Sequence, residues 1–572
     1  MNRTTRRRAN KNHKQPGGGK LSAELHSVFS QAVAHHQALQ FAKAEKLYQQ
    51  ILNQHPQHAD ALHLCGLTFF QRGHISKSAD LISRAIASDS TKPHYHFNLG
   101  LVREKAGELD HAQASYQEAL RINPSYVEAQ SNLGNILRRQ SKLDEAAQAF
   151  ESVLRIKPRS AEAHNNLGVV LKDQGKLEKA ISHYRAALEI NASHAEAHNN
   201  LGVALKEEGK LEEATNAFRQ AITCNPQYAN AHYHLGLTLV WQQQMEQALP
   251  SFTRSADLTH NHRQPIQAKT TTPARIKHDL EQVQYLEHHR IVQDLSPSYI
   301  TTLKTIQQEI TSQALSSGFI ALSSDDTQRL AASYNSILHY GIADTLPGGT
   351  LNPQLDVATI EANYHEKQPE IMFLDHLLNE KALSSLRQYC LESTIWKRDY
   401  QNGYLGTFLA EGFACPLLLQ IAEELRLRFR GIFKDHRLAQ AWAFKYDSTL
   451  QGLNLHADAA AVNVNFWITP DHANLDPASG GLVVWDKEAP DEWDFKAYNN
   501  DNNQEKIRDF LKHQQAQPVT VPHRQNRALI FNSNLFHETD TLSFKDEYEC
   551  RRINVTLLYG YRQQSHTRSK EK

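Results

Sequence analysis

The sequence predicts a multidomain chain in which an all-α repeat superhelix is followed by a domain of short β-strands with flanking helices. Two patterns predict this fold class. A glycine recurs every 34 residues in the first half of the chain, and from about residue 440 apolar residues alternate with a period of two. The chain has 572 residues, enough for several domains of roughly 100–200 residues each.

The composition excludes a strongly charged protein. Lys+Arg and Asp+Glu are both 62, so the formal net charge is zero and no overall field favours nucleic acid as a partner. No apolar run approaches the ~18 residues of a membrane span, so we expect no membrane partner. The 5 cysteines are odd in number and form no CxxC motif, which is typical of a reducing, cytoplasmic location. Residues 1–20 are basic and lack the apolar part of a signal peptide, and we expect a disordered tail there.

The recurring glycines mark a helical repeat. They lie at Gly66, Gly100, Gly134, Gly168, Gly202 and Gly236. From Gly100 onward an alanine follows twelve residues later and an aromatic residue sixteen later, as with Ala112 and Tyr116. Small residues let two antiparallel helices approach closely, and because one unit cannot bury its apolar face, the units must stack. The pattern resembles the tetratricopeptide repeat, with about seven units over residues 21–260.

An asparagine stands two residues before the glycine in four of these units. The four are Asn98, Asn132, Asn166 and Asn200. An amide can donate and accept hydrogen bonds toward a peptide backbone at the same time. The segments "AHNNLGVVLKDQG" and "AHNNLGVALKEEG" resemble repeats of the O-linked N-acetylglucosamine transferase, in which such asparagines hold an extended peptide. This resemblance implies a polypeptide or protein partner on the concave face. The alternative is that asparagine merely suits a solvated concave face.

The repeat register ends near residue 260, and residues 261–360 are expected to form a helical connector. Residues 371–393 and 415–433 are expected to form amphipathic helices that flank the strands. Short alternating segments such as "AWAFKYD" and "AVNVNFWIT" follow, separated by glycine and proline turns. This pattern is typical of a β-sandwich or barrel, and we place the domain at residues 361–572.

A candidate metal site lies in the segment "NLHADAA". His456 and Asp458 are two residues apart on or near an extended strand, so both side chains share one face. His537, at the end of a later strand, supplies a third ligand. Two histidines and one carboxylate form a facial triad that suits Fe(II) and leaves coordination positions open. The same tripeptide at His58 and Asp60 lies at a helix start, where residues two apart diverge, so we expect a structural role there.

A candidate anion site lies in the segment "CRRINVT". Arg552, Asn554 and Thr556 share one face of a strand by the period of two. The guanidinium of Arg552 can bind a carboxylate through two parallel hydrogen bonds, and the hydroxyl of Tyr446 can donate a further one. Asn465 lies on the polar face of "AVNVNFW", which suggests a lined site rather than a dry core.

These residues together resemble the Fe(II)/2-oxoglutarate-dependent dioxygenases, most closely the prolyl-hydroxylase-like branch, over roughly residues 370–562. The resemblance implies a double-stranded β-helix (jelly-roll) fold in which Fe(II) binds the triad. It implies that 2-oxoglutarate chelates the metal and pairs its far carboxylate with Arg552 and Tyr446, beside Asn554 and Asn465. O₂ then yields succinate, CO₂ and a hydroxylated product, with ascorbate as a supporting reductant. No catalytic side chain beyond the metal ligands is implied.

The function predicted is hydroxylation of a protein or peptide captured by the repeats. Two alternatives stay open: an interaction scaffold with an inactive barrel, and an oxygenase for a small molecule or glycan precursor that is tethered to a complex. The run "RINVT" also resembles the nucleic-acid alkyl-repair branch, but Leu558 stands where that branch has a second arginine. The carboxylate of Asp458 disfavours a halogenase. The insertion at residues 486–517 is either a lid, with Trp493, Phe495 and Tyr498, or a surface loop.

Overall fold

The computed structural model of the chain falls into two compact units, which divide between Asn200 and Leu201. It describes residues 18–260, 269–292, 296–312, 318–331, 333–366, 368–434, 436–448, 453–490, 493, 499 and 503–561. Residues 1–17 of the predicted tail lie outside this part, and the first helix begins at Gly18. Among the described residues, no helix is both long and apolar enough to cross a membrane.

The first unit is built from pairs of α-helices. Its elements are α1 (Gly18–Gln37), α2 (Phe41–Gln54), α3 (Ala59–Gln71), α4 (Ile75–Ser88), α5 (Pro93–Lys105), α6 (Leu109–Ile122), α7 (Val127–Arg139), α8 (Leu143–Ile156), α9 (Ala161–Asp173), α10 (Leu177–Ile190) and the start of α11 (Ala195–Glu207). A Cβ atom at Gly100 would lie 2.5 Å from the ring of Tyr116, so only glycine allows α5 and α6 to pack this closely. The same contact joins Gly134 to Phe150. The predicted helix pairs are therefore confirmed.

The second unit begins with the rest of α11 and three more repeat helices. These are α12 (Leu211–Cys224), α13 (Ala229–Trp241) and α14 (Met245–His260). The connector follows with β1 (Thr270–Thr271), α15 (Pro273–His288), α16 (Pro297–Ser312), β2 (Ile320–Ala321), α17 (Ser324–Leu330) and α18 (Val357–Glu366). Strands β1 and β2 form a small antiparallel sheet.

The remaining elements are mainly β-strands. They are β3 (Ile371–Leu374), α19 (Glu380–Glu392), β4 (Arg398–Asp399), β5 (Tyr404–Phe408), α20 (Pro416–Arg428), α21 (Arg430–Phe433), β6 (Leu438–Tyr446), β7 (Val462–Trp467), β8 (Leu482–Glu488), α22 (Gln504–His513), β9 (Pro518–Val521), β10 (Ala528–Asn532), β11 (Leu535–Thr539) and β12 (Ile553–Tyr559). The expected helix at 371–393 is wrong over residues 371–379, because Ile371–Leu374 pairs as strand β3 with β10 and the helix begins only at Glu380.

The strands form two antiparallel sheets. The larger has the order β3-β10-β7-β12-β6-β5-β4, and the smaller has the order β11-β8-β9. Trp467 of β7 lies in one buried cluster with Leu482 and Val484 of β8 and Leu535 of β11, so the two sheets face each other. The other face of β7 carries Val464 and Phe466, both fully buried. The predicted polar face of β7, which carries Asn465, is thus the face that it shares with Trp467, toward the smaller sheet.

Candidate metal centre

The three predicted metal ligands come together between the sheets. The ligand atoms of His456, Asp458 and His537 all lie within 4.8 Å of one another. The Nε2 atom of His537 lies 3.4 Å from Oδ2 of Asp458, and Nε2 of His456 lies 3.9 Å from Oδ1. An isolated antiparallel bridge joins the backbones of the two histidines, with N–O distances of 3.0 and 2.7 Å. Two segments that are far apart in sequence are thus fixed side by side.

Backbone carbonyls determine which nitrogen of each imidazole faces the cluster. Nδ1 of His456 lies 2.7 Å from the carbonyl oxygen of Asn454, and Nδ1 of His537 lies 3.0 Å from that of Leu535. A carbonyl can only accept, so each Nδ1 carries the proton and donates. Each Nε2 therefore faces Asp458 and is the nitrogen that is available to a metal ion.

Asp458 is held by a chain of amide side chains. Asn463 donates to its Oδ2 at 2.7 Å, and Asn465 donates in turn to Oδ1 of Asn463 at 3.0 Å. Asn554 continues the chain by donating to Asn465 at 2.9 Å. Burial raises the pKa of Asp458, but contacts with His537, His456 and the Asn463 amide outweigh burial and hold this pKa below its ordinary value. The carboxylate is thus kept ionised in a buried place.

Arg552 lies in the same cavity as a buried cation. It is 1% exposed, and it donates from Nε to the carbonyl of Gly480 at 2.6 Å and from Nη2 to that of Gly481 at 3.0 Å. Its guanidinium lies 4.5 Å from the ring centre of Tyr446. Burial lowers the pKa of Arg552. Among the described residues no carboxylate lies within ion-pair distance of this guanidinium, and interactions with Tyr446 and the more distant Asp540 only partly offset the lowering of its pKa.

The triad, Arg552 and Tyr446 line one narrow cavity. Its volume of about 10 Å³ has room for about one water molecule. Trp442, Leu453, His456 and Asp458 also line a larger open groove of about 570 Å³. A ligand of more than a few atoms therefore reaches the triad from the groove. The narrow cavity beside Arg552 must widen to admit it.

The insertion contributes two residues to the surroundings of the ligands, and the sequence singled out only one of them, Trp493. Gln504 at the start of α22 bonds to the backbone next to His456, and Trp493 packs against Phe536, next to His537. Of the aromatic residues considered for a lid, Phe495 and Tyr498 lie outside the described residues. Asn463 was visible in the sequence only as one member of an alternating polar face.

The four asparagines of the repeats lie on the first helix of their units, on α5, α7, α9 and α11, and all are half-buried. Three of them bond to the preceding unit, two of these over short distances: Asn98 donates to Nε2 of His63 at 2.8 Å, and Asn200 donates to Asn165 at 3.0 Å. Asn132 donates to the hydroxyl of Tyr116 over a long 3.5 Å. Part of the hydrogen-bonding capacity of these amides is thus used between repeats, and part is left for a partner.

Family comparisons confirm the repeats. Residues 29–93 and 97–161 match the family "Tetratricopeptide repeat", and residues 170–209 and 203–243 match the family "TPR repeat". This region is therefore a tetratricopeptide repeat array, a kind of domain that binds peptide or protein partners. No protein of curated function matches the chain.

Several solved structures are similar to the repeat region. YrrB, described as a TPR protein with an unusual peptide-binding site, is 27% identical; the match covers 32% of this chain and 95% of YrrB, with a TM-score of 0.27. A tetratricopeptide repeat protein from Parabacteroides merdae is 16% identical, with coverage of 42% and 94% and a TM-score of 0.37. PilF from Pseudomonas aeruginosa is 20% identical, with coverage of 35% and 91% and a TM-score of 0.32.

Proposed function

We propose that this chain is an Fe(II)- and 2-oxoglutarate-dependent dioxygenase that hydroxylates a protein or peptide held by the tetratricopeptide repeats. One observation carries the proposal: two histidines and a carboxylate with metal-ligand geometry share a buried cavity with a guanidinium that has no ion-pair partner among the described residues. Neither feature stabilises a fold by itself, because a buried charge without a partner costs free energy. A metal ion and an anionic ligand together would balance both.

The ligand set fits Fe(II). Two imidazole nitrogens and one carboxylate oxygen suit this ion, and the hydrogen-bonded Nδ1 atoms of His456 and His537 already direct Nε2 inward. Asn463 orients the carboxylate of Asp458. We propose that the two facing antiparallel sheets that hold these ligands form a double-stranded β-helix, or jelly-roll.

Arg552 and Tyr446 are the residues proposed to hold the far carboxylate of 2-oxoglutarate. The guanidinium has five N–H donors, of which the carbonyls of Gly480 and Gly481 and Oδ1 of Asn554 take three. The carbonyls orient the guanidinium, and Asn554 and Asn465 line the same cavity. When bound, iron and 2-oxoglutarate supply, with O₂, the oxidising power that converts a C–H bond to C–OH while 2-oxoglutarate becomes succinate and CO₂.

The repeats supply the proposed means of substrate capture, through the asparagines Asn98, Asn132, Asn166 and Asn200. The five cysteines are free thiols, which supports a reducing compartment such as the cytoplasm. A scaffold with an inactive β-domain is the second candidate. The small volume of the cavity between the triad and Arg552, about 10 Å³, favours this candidate.

The test is release of succinate from 2-oxoglutarate by the full chain with Fe(II) and ascorbate, together with metal binding by calorimetry. We expect slow turnover without substrate, loss of turnover and of metal binding in His456→Ala, and no change in His472→Ala, whose imidazole is exposed. Metal binding without 2-oxoglutarate binding would contradict the oxygenase and leave a metal-stabilised scaffold. Absence of both would leave the repeats alone as the functional part.

A further inference from the structure

The open groove beside the triad is built from one face of strands β4, β5 and β6. Residues two apart on β6 share this face, and cross-strand pairing places Tyr404 opposite Tyr446 and Phe408 opposite Trp442. The groove has a volume of about 570 Å³, within the range of small-ligand sites, and it contains His456 and Asp458 in its wall. Whatever occupies it lies against the metal ligands.

Aromatic rings form this wall. The rings of Tyr400 and Tyr404 are stacked, with centres 4.4 Å apart and planes at 13°. Phe444 meets both edge-on, at 86° and 82°. A Cβ atom at Gly406 would lie 2.9 Å from Phe444 and 3.2 Å from Tyr400, so the glycine lets these rings close over the strand. Tyr400 and Phe408 are half-buried and offer ring surface to a ligand.

The groove carries no uncompensated charge among its described lining residues. The Nε atom of Arg398 donates to both carboxylate oxygens of Glu411, at 2.8 and 2.9 Å. The guanidinium of Arg398 also lies 4.6 Å from the ring centre of Phe408. Besides Arg398, the acidic and basic side chains in the described lining are those of the metal ligands His456 and Asp458. Apart from these two ligands, the described lining offers no partner to a charged substrate group, and desolvation of such a group would oppose binding.

Two of the four amide side chains at the groove, those of Gln504 and Asn499, bond to the protein itself. Gln504 donates to the carbonyl of Leu455 at 2.9 Å and accepts from its N–H at 3.1 Å. Asn499 donates to the carbonyl of Ala457 over 3.5 Å. A sugar needs several hydrogen-bonding groups that face the ligand, whereas a flat, carbon-rich ring needs aromatic surface. The wall therefore favours a ring over a polyhydroxylated ligand.

We propose that this groove binds an uncharged, ring-bearing side chain of a polypeptide (proline, phenylalanine, tyrosine or tryptophan) and places it beside the triad. This inference rests on the proposed function for the polypeptide nature of the substrate. Aromatic contacts bind such rings with little conformational entropy to lose. The ring side chain is then the part of the substrate that is oxidised.

The first test measures peptide binding to the full-length, metal-free protein by saturation-transfer NMR. The probes are acetylated and amidated Gly-Gly-X-Gly-Gly peptides with X as Pro, Phe, Leu, Asp or Lys, together with a neutral oligosaccharide. We expect the Pro and Phe peptides to bind about tenfold tighter than the Asp and Lys peptides. Tyr400→Leu and Phe408→Leu should each weaken the ring peptides about three- to tenfold. Tyr285→Leu, at a half-buried tyrosine outside the groove, is the matched control and should change nothing.

Preferred binding of a charged peptide or of the oligosaccharide would overturn the inference, as would a ring preference that survives both groove variants. Turnover of 2-oxoglutarate is measured separately. Preference for ring-bearing peptides without turnover would refute the proposed function but support the assignment of the groove. Turnover without this preference would support the proposed function and refute the assignment of the groove.

The second test changes the charge of the groove. Glu411→Gln leaves Arg398 without its carboxylate, so we expect the Asp peptide to gain about tenfold in affinity. The double variant Arg398→Gln with Glu411→Gln removes both charges and should restore the ring preference, which also controls for folding. Unchanged selectivity in a folded Glu411→Gln protein would contradict the claim that neutrality of the groove selects the substrate.

Discussion

The side-chain amide of Gln504 forms both hydrogen bonds of a strand-like pair with the backbone of Leu455, at 2.9 and 3.1 Å. Leu455 directly precedes His456, so α22 holds the segment that carries a metal ligand. Ile507 and Leu511 of α22 share a buried cluster with Leu455, Ala457, Ala489 and Phe536. The side chains next to the ligands thus point outward to α22 while the ligands point inward. The insertion therefore stabilises the candidate metal centre through the residues next to the ligands, on the side away from the cavity.

Gln504→Leu should therefore weaken metal binding. Loss of both hydrogen bonds frees the Leu455 backbone, and we expect the affinity for Co(II), measured by calorimetry, to fall about tenfold. Gln514→Leu is the matched control, because this glutamine is exposed at the other end of α22. Equal affinity in the Gln504→Leu and wild-type proteins would mean that the insertion is only a surface loop.

Arg552→Lys should weaken 2-oxoglutarate binding while leaving the metal site intact. A lysine keeps the charge but cannot contact Gly480, Gly481 and a carboxylate with a planar fork. We expect the Kd for 2-oxoglutarate, measured by calorimetry with Mn(II), to rise about tenfold or more. Arg524→Lys, on an exposed ion pair with Asp375, should bind 2-oxoglutarate like the wild type. An unchanged Kd in Arg552→Lys would assign the carboxylate to another cation.

His523 should make the second unit sensitive to acid. Its ring is buried between Trp467 and Phe544 with no hydrogen-bond partner among the described residues, and burial, aided by Arg552 and Arg527, lowers the pKa of His523 to about 3. The unfolded chain therefore binds more protons than the folded one below pH 6.5. The free energy of unfolding falls as the pH falls toward 3, by up to about 1.4 kcal/mol per pH unit from this group.

His523→Phe should remove this contribution, so that the variant loses about 2 kcal/mol less than the wild type between pH 7 and 5. Urea denaturation followed by tryptophan fluorescence measures this, because all 6 tryptophans lie between Trp241 and Trp493, in the second unit. His472→Phe, at an exposed histidine, should keep the acid slope of the wild type. The same slope in His523→Phe would show that other buried histidines cause the acid sensitivity.

Local spacing was enough to predict the repeats and the approach of His456 to Asp458. A repeat glycine contacts an aromatic ring sixteen residues later, as Gly100 contacts Tyr116, so the constraint lies within one sequence window. Local spacing also distinguished the two "HAD" triplets, because one lies at the start of a helix and the other in an extended segment. His58 accepts from the N–H of Ala61 as the cap of α3, a structural role as predicted, whereas the extended backbone brings His456 and Asp458 together.

Strand pairings between distant segments could not be predicted from the sequence. The run Ile371–Leu374 is too short for its apolar pattern to separate strand from helix, and its pairing with β10 decides the outcome. The aromatic groove depends on the register that sets Tyr404 opposite Tyr446, which no local pattern encodes. The roles of Asn465 and Asn554 as co-substrate contacts stay predictions; in the structure both belong to the amide chain that ends at Asp458.

The asparagines of the repeats should separate into two kinds when they are replaced by alanine. Asn200→Ala loses a 3.0 Å hydrogen bond to Asn165 in the preceding repeat and should lower the stability of the repeats by about 1 kcal/mol. Asn132→Ala loses only a long 3.5 Å contact with Tyr116 and should leave stability unchanged. If the repeats bind peptides through these amides, both variants should weaken binding to a peptide array.

Thermal unfolding followed by far-UV circular dichroism gives the stability, and the peptide array gives the binding. Gln148→Ala, at an exposed position on the second helix of its repeat, should change neither. The decisive variant is Asn132→Ala, because its expected loss of binding has no accompanying loss of stability. Wild-type peptide binding by Asn132→Ala, together with reduced stability of Asn200→Ala, would make these asparagines a structural ladder between helices and would leave substrate capture to other side chains of the repeats.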